Sequence, residues 1–435
     1  MIKKLIAFTL CGILLIGFFG CASSENGTES TSESSSAALD PTGTENGGAD
    51  TENGKDENGK NENGGDEKPE PLPDLPTTTT VLNSNTPGIK ILGERMLSSD
   101  AQINCDWTCS GIEFVLYSLG GDVSFEAGSD KPCFFRAYVN GTEWKDGMFS
   151  YHTVNGESTI ILEDLPTGEL TIRLVKVTGH TLSRAQLYSV TYCGTIKETA
   201  PADEELYIEF IGDSISCGWG VVGEHGGAYT DQDGTYAYPY QLAQKLGADY
   251  AITALSGQGV MYHGTGIPNM LEGYLMSSPL RDSNVMYGFE RKADVVVVNM
   301  GTNDYSKRGT DGINAESFKS AYKQLLQSIR KNNGETCKIV CLYNTMNDTF
   351  ANSIIAACYE LGGNAAGVYT FEMERAASGH PTIEENVTYI QALEGFLKEV
   401  IDGEIVESGS KLDTETSGDG LKVDISDFVP MPSDR

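Results

Sequence analysis

A single serine stands where a strongly apolar stretch of the sequence stops. Residues 206–212 read LYIEFIG, and they are followed directly by Asp213 and Ser214. A serine hydroxyl is a weak nucleophile until a base takes its proton. Attack on a carbonyl also needs hydrogen-bond donors for the oxyanion that forms. Ser214 is therefore a candidate nucleophile if a histidine and such donors lie nearby.

Three later segments carry residues of the types that this serine needs. Residues 254–259 (ALSGQG) and 299–304 (NMGTND) each end an apolar run, and His380 opens the segment HPTIEEN before the last helical pattern. Ligand and catalytic groups in open α/β sheets collect at the carboxyl ends of the strands. We therefore expect all three segments to converge on Ser214.

The regions that must position these segments show two different patterns of apolar residues. Residues 79–200 consist of short alternating apolar runs with turn signals at 140–141 (NG) and 167–168 (TG), which predicts an all-β sandwich of jelly-roll type. In residues 201–402, apolar strand-like runs alternate with helical patterns. This alternation predicts a parallel sheet covered by helices on both faces, that is, a three-layer α/β domain.

The two ends of the chain are expected to lie outside the folded domains. Residues 1–21 combine a basic start with an apolar stretch that is short for a membrane span. They end at Cys21 and resemble a bacterial lipoprotein signal, whose cysteine is acylated; an ordinary cleaved signal is the alternative. Residues 22–78 are rich in Gly, Asn, Ser and acidic residues, so we expect a disordered linker, and residues 403–435 form an acidic tail.

The charge of the chain restricts its partners. Its formal net charge is −32, which argues against nucleic acid or an anionic membrane surface as a partner. Much of this charge lies in the two polar segments, so it says little about the substrate. We expect the exported protein to contact a bacterial membrane through its lipid anchor only and to face the cell exterior.

The ten cysteines do not predict a metal site. Cys105 and Cys109, like Cys337 and Cys341, lie four residues apart on apparent strands, which places them about 13 Å apart and too far to form a disulfide. No spacing of Cys and His matches a zinc site. We therefore expect buried small hydrophobic cysteines, no metal and no cofactor.

The order of the candidate segments resembles a known superfamily. The sequence contains, in this order, Gly-Asp-Ser, a later Gly, GTND and a late His-Pro. This order resembles the four blocks of the SGNH (GDSL-type) hydrolases. Together with the β-rich region before them, they look like carbohydrate esterase family 2 over roughly residues 85–402. Those two-domain bacterial enzymes remove acetyl groups from plant polysaccharides. The resemblance implies a serine esterase acting on acetylated xylan or glucomannan.

The resemblance also implies a role for each matching residue. Ser214 would be the nucleophile, and His380 would be the general base that later protonates the leaving sugar hydroxyl. The backbone N–H groups of Ser214 and Gly257 and the side-chain amide of Asn303 would form the oxyanion hole. Gly259 is the alternative to Gly257 as a donor.

Two positions depart from the family pattern. Asp often stands three residues before the histidine, where this chain has Ala377, and Trp often stands directly before it, where this chain has Gly379. The imidazole must still be held in one orientation and tautomer. We expect a backbone carbonyl to orient His380, with Glu372 or Glu374 as less favoured alternatives.

Residues in the loops after the first two strands are candidates for lining the substrate cleft. Trp219 could stack on a sugar face, but it could equally pack in the core. His263 lies in the long loop 260–290, and Gly259 lies just before that loop. We expect these three residues near the substrate if the chain is an esterase.

Each candidate residue also has a purely structural interpretation. Ser214 could cap a turn, Asn303 could stabilise a turn, and His380 could simply precede a helix. Three such coincidences in family order are improbable, which favours an enzyme. Two other functions stay open: an esterase acting on O-acetylated cell-envelope glycans, and a carbohydrate-binding protein whose esterase site has decayed.

Overall fold

The structure is a computed structural model that covers the two folded regions expected from the sequence. It describes residues 76–145, 152–223, 229–264, 266–347, 350–377 and 379–403. The expected signal with Cys21, most of the expected linker, and the acidic tail from residue 404 lie outside the described residues. No helix within the described part of the chain is long and apolar enough to cross a membrane.

The first region is an antiparallel sheet that curls back on itself. Its eight strands are β1 (Thr77–Val81), β2 (Lys90–Leu92), β3 (Ser98–Ser99), β4 (Gln102–Cys105), β5 (Gly111–Val139), β6 (Thr142–Glu143), β7 (His152–Lys176) and β8 (Ala185–Ile196). Near the end of β7, Arg173 pairs with Glu113 at the start of β5 and with Tyr138 near its end. The predicted antiparallel β structure is confirmed, while its jelly-roll connectivity stays a prediction.

Two turn predictions in this region had different outcomes. Asn140 and Gly141 connect β5 to β6 with positive φ angles of 51° and 77°, as a tight hairpin requires. Thr167 and Gly168 do not form a turn, so that prediction was wrong. They lie inside β7, where Gly168 pairs with Ser118. The apolar alternation continues past this glycine, so the strand stays packed on the core. The register of β7 with β5 shifts further on, between the pairs Gly121–Leu165 and Val123–Leu162.

The second region contains a five-stranded parallel sheet. The strands are β9 (Tyr207–Gly212), β10 (Asp249–Ala254), β13 (Val295–Asn299), β14 (Lys338–Tyr343) and β15 (Val368–Glu372), in the spatial order β10-β9-β13-β14-β15. A short antiparallel hairpin, β11 (Met276–Ser278) and β12 (Asp282–Met286), lies in the segment that was expected to be a long loop. Its strands are short and partly polar, so the apolar pattern did not reveal them.

Helices cover both faces of this sheet. They are α1 (Tyr238–Leu246), α2 (Met270–Gly273), α3 (Thr302–Ser306), α4 (Ala315–Asn333), α5 (Ala351–Glu360) and α6 (Ile383–Asp402). Along β13, Val296 and Val298 pack in a core with α4 and α5, whereas Val295 and Val297 pack in a core with α1 and α6. A strand that is apolar on both faces is typical of a doubly covered parallel sheet. The predicted three-layer α/β fold is confirmed.

A buried ion pair joins the β-rich region to the parallel sheet. Arg95, which follows β2, donates from Nε to Glu209 Oε1 over 2.8 Å, and both side chains are about 1% exposed. Glu209 lies on β9 and also accepts a hydrogen bond from Thr253 Oγ1 over 2.7 Å. The guanidinium of Arg95 lies over the rings of Tyr274 and Phe289, 4.8 and 4.9 Å from their centres. The β-rich region therefore supplies a charge to the core of the α/β region.

The loop 106–110 forms a second connection between the two regions. Trp107 Nε1 donates to the Ser277 carbonyl over 2.8 Å, and Tyr250 Oη donates to the Cys109 carbonyl over 2.7 Å. A Cβ on Gly234 would lie only 2.0 Å from Thr108 Cγ2, so the Thr108 side chain packs directly on the Gly234 backbone. These contacts brace the segments that follow β9 and β10.

All eight cysteines within the described residues are free and buried, as expected from their sequence context. Burial raises the pKa of several of their thiols, for example Cys217 to about 12. Among the same residues, no cluster of three or more His, Cys, Asp or Glu side chains could hold a metal ion.

Candidate active site

The structure brings Ser214 and His380 together although they are 166 residues apart in sequence. Ser214 follows the end of β9, and His380 lies in the connection between β15 and α6. The distance between Ser214 Oγ and His380 Nε2 is 2.8 Å, which is within hydrogen-bonding range. A base at this distance can take the proton of a serine nucleophile.

The chain turns sharply at the end of β9 and presents Ser214 at the strand end. A Cβ on Gly212 would lie 2.0 Å from Ser216 Oγ, so no other residue fits there without a shift. Asp213 Oδ1 accepts the Ile215 N–H over 3.0 Å, and the Trp219 N–H donates to the Ser214 carbonyl over 3.0 Å. Ser214 is consequently held at 6% exposure, directly after the end of β9.

The two glycines proposed as alternative oxyanion donors differ in their hydrogen bonds. Gly257 lies in a turn that is closed by the Gln258 N–H to the Leu255 carbonyl, and its φ of +84° favours glycine. The Gly259 N–H donates to the Tyr262 carbonyl over 3.1 Å and is therefore already used. Among the described residues, the Gly257 N–H has no acceptor. This difference favours Gly257.

Gly259 is instead needed for the support of this loop. The Asp304 carboxylate accepts the N–H groups of Val260, Met261 and Tyr262 over 2.8 to 3.0 Å. A Cβ on Gly259 would lie 2.7 Å from both Asp304 oxygens, so a larger residue would displace the carboxylate. Asp304 therefore holds the loop that follows Gly257.

The Asn303 side chain lies between the serine loop and the glycine loop. Its Nδ2 donates to the Gln258 carbonyl over 2.9 Å and to Asp213 Oδ2 over 3.2 Å. Gly301, whose φ of 127° places it outside the regions open to most residues, precedes α3 and allows this approach. Both amide hydrogens of Asn303 already have acceptors. Donation to an oxyanion therefore requires one of these two hydrogen bonds to be exchanged for a bond to the oxyanion. The longer bond, to Asp213, is the one we expect to exchange.

Burial changes the ionisation of three side chains around the site. It lowers the pKa of His380 below its ordinary value of 6.5, so the imidazole is neutral and able to accept a proton at neutral pH. It raises the pKa of Asp213 to about 7, with a further increase from the charge of Asp304. The pKa of Asp304 is also raised by burial, although its backbone hydrogen bonds oppose that change.

The expected orienting partner of His380 is not found among the described residues. His380 Nδ1 makes no hydrogen bond there, neither to a backbone carbonyl nor to a carboxylate. Glu372 and Glu374 are both exposed, and Glu372 Oε1 lies 3.4 Å from Asn344 Nδ2. Nothing would lie within 4 Å of a Cβ on Gly379, so the space beside the histidine is open.

The remaining candidates differ in how close they lie to the histidine. The ring of Trp219 lies 6.4 Å from that of His380, at an angle of 45°, and the side chain is half-buried. His263 is exposed, and its Nε2 lies 2.9 Å from Asn269 Nδ2. Trp219 is therefore placed to contact a ligand of the site, whereas no contact connects His263 to the serine or histidine within the described chain.

Sequence reasoning missed two residues that hold this site. Gln258 contributes its carbonyl to Asn303, and Glu385 accepts the backbone N–H of Ala377 over 2.6 Å. The signal for Glu385 was present, because Thr382 and Glu385 have the spacing of a capping box at the start of α6. The contact to Ala377 depends on the path of the turn and has no sequence signal.

Comparisons with known proteins extend these observations. A family model described as the GDSL-like Lipase/Acylhydrolase family matches residues 210–398. The chain is 26% identical over 335 residues to the cellulase/esterase CelE of Acetivibrio thermocellus, a match that covers 73% of this chain and 40% of that protein. It is 24% identical over 221 residues to an acetylxylan esterase / glucomannan deacetylase of Cellvibrio japonicus, covering 46% of this chain and 60% of that protein. The matches thus span less than two thirds of the length of each of these relatives.

A solved structure shows the same likeness in three dimensions. It is a family two carbohydrate esterase from Clostridium thermocellum in complex with cellohexaose, with a TM-score of 0.63 and 27% sequence identity. The match covers 72% of this chain and 99% of that one. Residues 210–398 therefore match the GDSL-like lipase/acylhydrolase family, and the chain is similar in sequence and fold to the family 2 carbohydrate esterases.

Proposed function

We propose that this protein is a carboxylic-ester hydrolase that removes O-acetyl groups from polysaccharides by a Ser-His acyl-enzyme mechanism. The 2.8 Å distance between Ser214 Oγ and His380 Nε2 carries the proposal. A neutral imidazole at that distance can activate the hydroxyl, and free or exchangeable donors lie in the neighbouring loops. Similarity to proteins named as esterases supports the same reaction.

In the first half of the reaction, the acetyl group moves from the sugar to the enzyme. His380 Nε2 takes the Ser214 proton as Oγ bonds to the acetyl carbonyl carbon. The oxyanion accepts hydrogen bonds from the N–H groups of Ser214 and Gly257 and from Asn303 Nδ2. His380 then returns the proton to the sugar oxygen as the bond between that oxygen and the acetyl carbon breaks.

In the second half, water releases the acetyl group. His380 takes a proton from a water molecule as its oxygen attacks the acetyl-Ser214 carbonyl, and the same donors stabilise the second oxyanion. The proton then passes to Ser214 Oγ as the acyl bond breaks. Acetate leaves and the free serine is regenerated, so no cofactor is consumed.

We propose acetylated plant cell-wall polysaccharides, xylan or glucomannan, as the substrates. One relative is named for deacetylation of these two polymers, and a similar solved enzyme holds cellohexaose. Trp219 beside His380 offers an aromatic face to a sugar, and the open space at Gly379 admits a branched or bulky chain. The β-rich region, proposed to be a jelly-roll, would brace this site.

We further propose that Cys21 anchors the exported protein to a bacterial membrane, with residues 22–78 as a tether. A tethered esterase would act on large polymers near the cell. Growth with labelled palmitate tests the anchor: label should enter the wild-type protein and be absent from a Cys21→Ala variant. Label in both proteins, or in neither, would contradict the anchor.

The esterase proposal is tested by acetate release from three acetylated polymers. Full-length protein and a Ser214→Ala variant are incubated with acetylated glucomannan, acetylated xylan and O-acetylated cell-envelope glycan. The proposal predicts release by the wild type alone, with one of the plant polymers preferred. Preference for the envelope glycan would reassign the substrate, and binding without release would indicate a carbohydrate-binding protein.

A further inference from the structure

The turn that carries His380 is closed by one carboxylate. Glu385 lies in the first turn of α6, and its Oε1 accepts the Ala377 N–H over 2.6 Å. Its Oε2 accepts the Thr382 N–H over 2.9 Å. The two residues lie on either side of His380 in the sequence, so Ala377 and Thr382 are tied to the same side chain.

This carboxylate does more than cap a helix. In a capping box, the acidic residue bonds back to the N-cap N–H, and the N-cap side chain bonds forward to the third residue. Both bonds are present here, since Thr382 Oγ1 also accepts the Glu385 N–H over 3.3 Å. The bond to Ala377 is additional, and it links the helix to the chain that arrives from β15.

The segments on both sides of the turn are fixed independently. The Ala376 N–H and Tyr389 Oη both donate to the Thr345 carbonyl over 3.0 Å. On the helix side, Asn386 Nδ2 donates to the Thr382 carbonyl over 2.9 Å, and its Oδ1 accepts the Tyr238 N–H. Glu385 therefore connects two rigid supports across the residues that carry the histidine.

His380 depends on this turn for its position. Its Nδ1 has no hydrogen-bond partner among the described residues, so no bond at that nitrogen sets the plane of the ring. Position 377, where the resemblance to the SGNH pattern would place an Asp, is occupied by Ala377, whose N–H donates to Glu385 Oε1. A catalytic group that moves by about 1 Å can lose about a hundredfold in rate.

We infer that Glu385 is a positioning residue for the reaction, because its carboxylate closes the turn that holds His380 against Ser214. This inference rests on the proposed function. Glu385 acts on geometry and not on the charge of the imidazole. Burial alone accounts for the lowered pKa of His380, and no carboxylate contributes to it.

The inference is tested by kinetics of full-length variants on p-nitrophenyl acetate. Glu385→Ala removes both bonds, and Glu385→Gln keeps one acceptor oxygen and hence one bond. Glu384→Ala and Glu384→Gln are matched controls, since Glu384 is the adjacent, exposed acidic residue of the same helical turn. We expect kcat to fall roughly 10- to 100-fold in Glu385→Ala and less in Glu385→Gln, with KM unchanged and both controls at the wild-type rate.

Two further readouts separate positioning from a loss of fold or a loss of charge. The acid limb of the pH–rate profile should keep its wild-type midpoint in Glu385→Gln, because only geometry changes. Amide hydrogen exchange should accelerate at Ala377 and Thr382 in Glu385→Ala, while β13 and α4 stay protected. A wild-type kcat in Glu385→Ala, a shifted acid limb, or unchanged exchange at Ala377 would overturn the inference.

The exchange measurement also separates this inference from the proposed function. It does not depend on turnover. A wild-type protein that releases no acetate, but whose Ala377 and Thr382 amides respond to Glu385→Ala, would overturn the esterase and support closure of the turn. A wild-type protein that releases acetate, with an unchanged kcat in Glu385→Ala, would support the esterase and overturn the positioning role of Glu385.

Discussion

Arg95 and Glu209 form an ion pair in the core of the α/β region, although Arg95 belongs to the β-rich region. Arg95 Nη2 lies 2.7 Å from Glu209 Oε1, and burial leaves both side chains about 1% exposed. Glu209 lies on β9, the strand that ends at Ser214. Leu92 and Val175 of the β-rich region also pack in one apolar cluster with residues of β9, so the two regions share a core around the strand that presents the candidate nucleophile.

Removing Arg95 should destabilise the whole fold. In Arg95→Met, Glu209 would remain buried without its cation, which costs about 3–5 kcal/mol in the free energy of unfolding. Urea unfolding measures the loss of stability.

The control is Lys398→Met, which removes an exposed ion pair with Glu394 on α6. This variant should leave the unfolding midpoint unchanged. Adding Glu209→Gln to Arg95→Met should recover part of the loss. Equal midpoints for Arg95→Met and Lys398→Met would contradict a shared core.

The pH dependence of the reaction should follow His380. The imidazole accepts a proton only when neutral, and burial places its pKa below 6.5. As the pH falls through that pKa the imidazole becomes protonated, so kcat/KM should fall with a midpoint below 6.5. A pH–rate profile on a soluble acetyl ester measures this midpoint. An acid limb centred near 7 would instead indicate control by Asp213, whose pKa is about 7.

Asn303 should contribute to the rate more than to substrate binding. Removing one oxyanion donor costs about 10²- to 10³-fold in kcat in other serine hydrolases. We expect a loss of that size in Asn303→Ala, with little change in KM. Asn332→Ala is the control, because the Asn332 amide bonds only within α4. A kcat loss below about threefold in Asn303→Ala would remove this residue from the oxyanion hole.

Glu372 and Glu374 should be dispensable for catalysis. Both are exposed, Glu372 at the end of β15 and Glu374 after it, and within the described residues no hydrogen bond joins either to His380. Glu372→Gln and Glu374→Gln should therefore each keep the wild-type kcat/KM and the wild-type acid limb. A tenfold loss in either variant, with normal unfolding, would show that a carboxylate orients the imidazole after all.

The parts of the fold that could be predicted are those that local apolar pattern determines. The run VVVVN in β13 is apolar on both faces, so a doubly covered parallel strand could be predicted. The order of the four candidate segments placed Ser214 and His380 at one edge of the sheet. The polar hairpin β11–β12 and the continuity of β7 through Gly168 lack such a pattern and were missed.

The contacts that hold the site depend on tertiary geometry instead. Gly257 and Gly259 were alternatives because the sequence does not reveal which N–H is already bonded. Arg95 and Glu209 are 114 residues apart, and a charged residue beside an alternating strand is usually exposed. Glu385 was visible as a helix cap, but its second bond depends on how the turn 377–382 folds back.

The most direct test of the central claim is to trap the acyl-enzyme. Full-length protein is mixed with excess p-nitrophenyl acetate, quenched in acid during turnover, digested and analysed by mass spectrometry. The account predicts one acetyl group on Ser214, and none on that peptide in Ser214→Ala. Acetylation of Ser214 should be much slower in His380→Ala, because no base takes the serine proton. Turnover that continues in Ser214→Ala, or an acetyl group on another residue during turnover, would contradict the account.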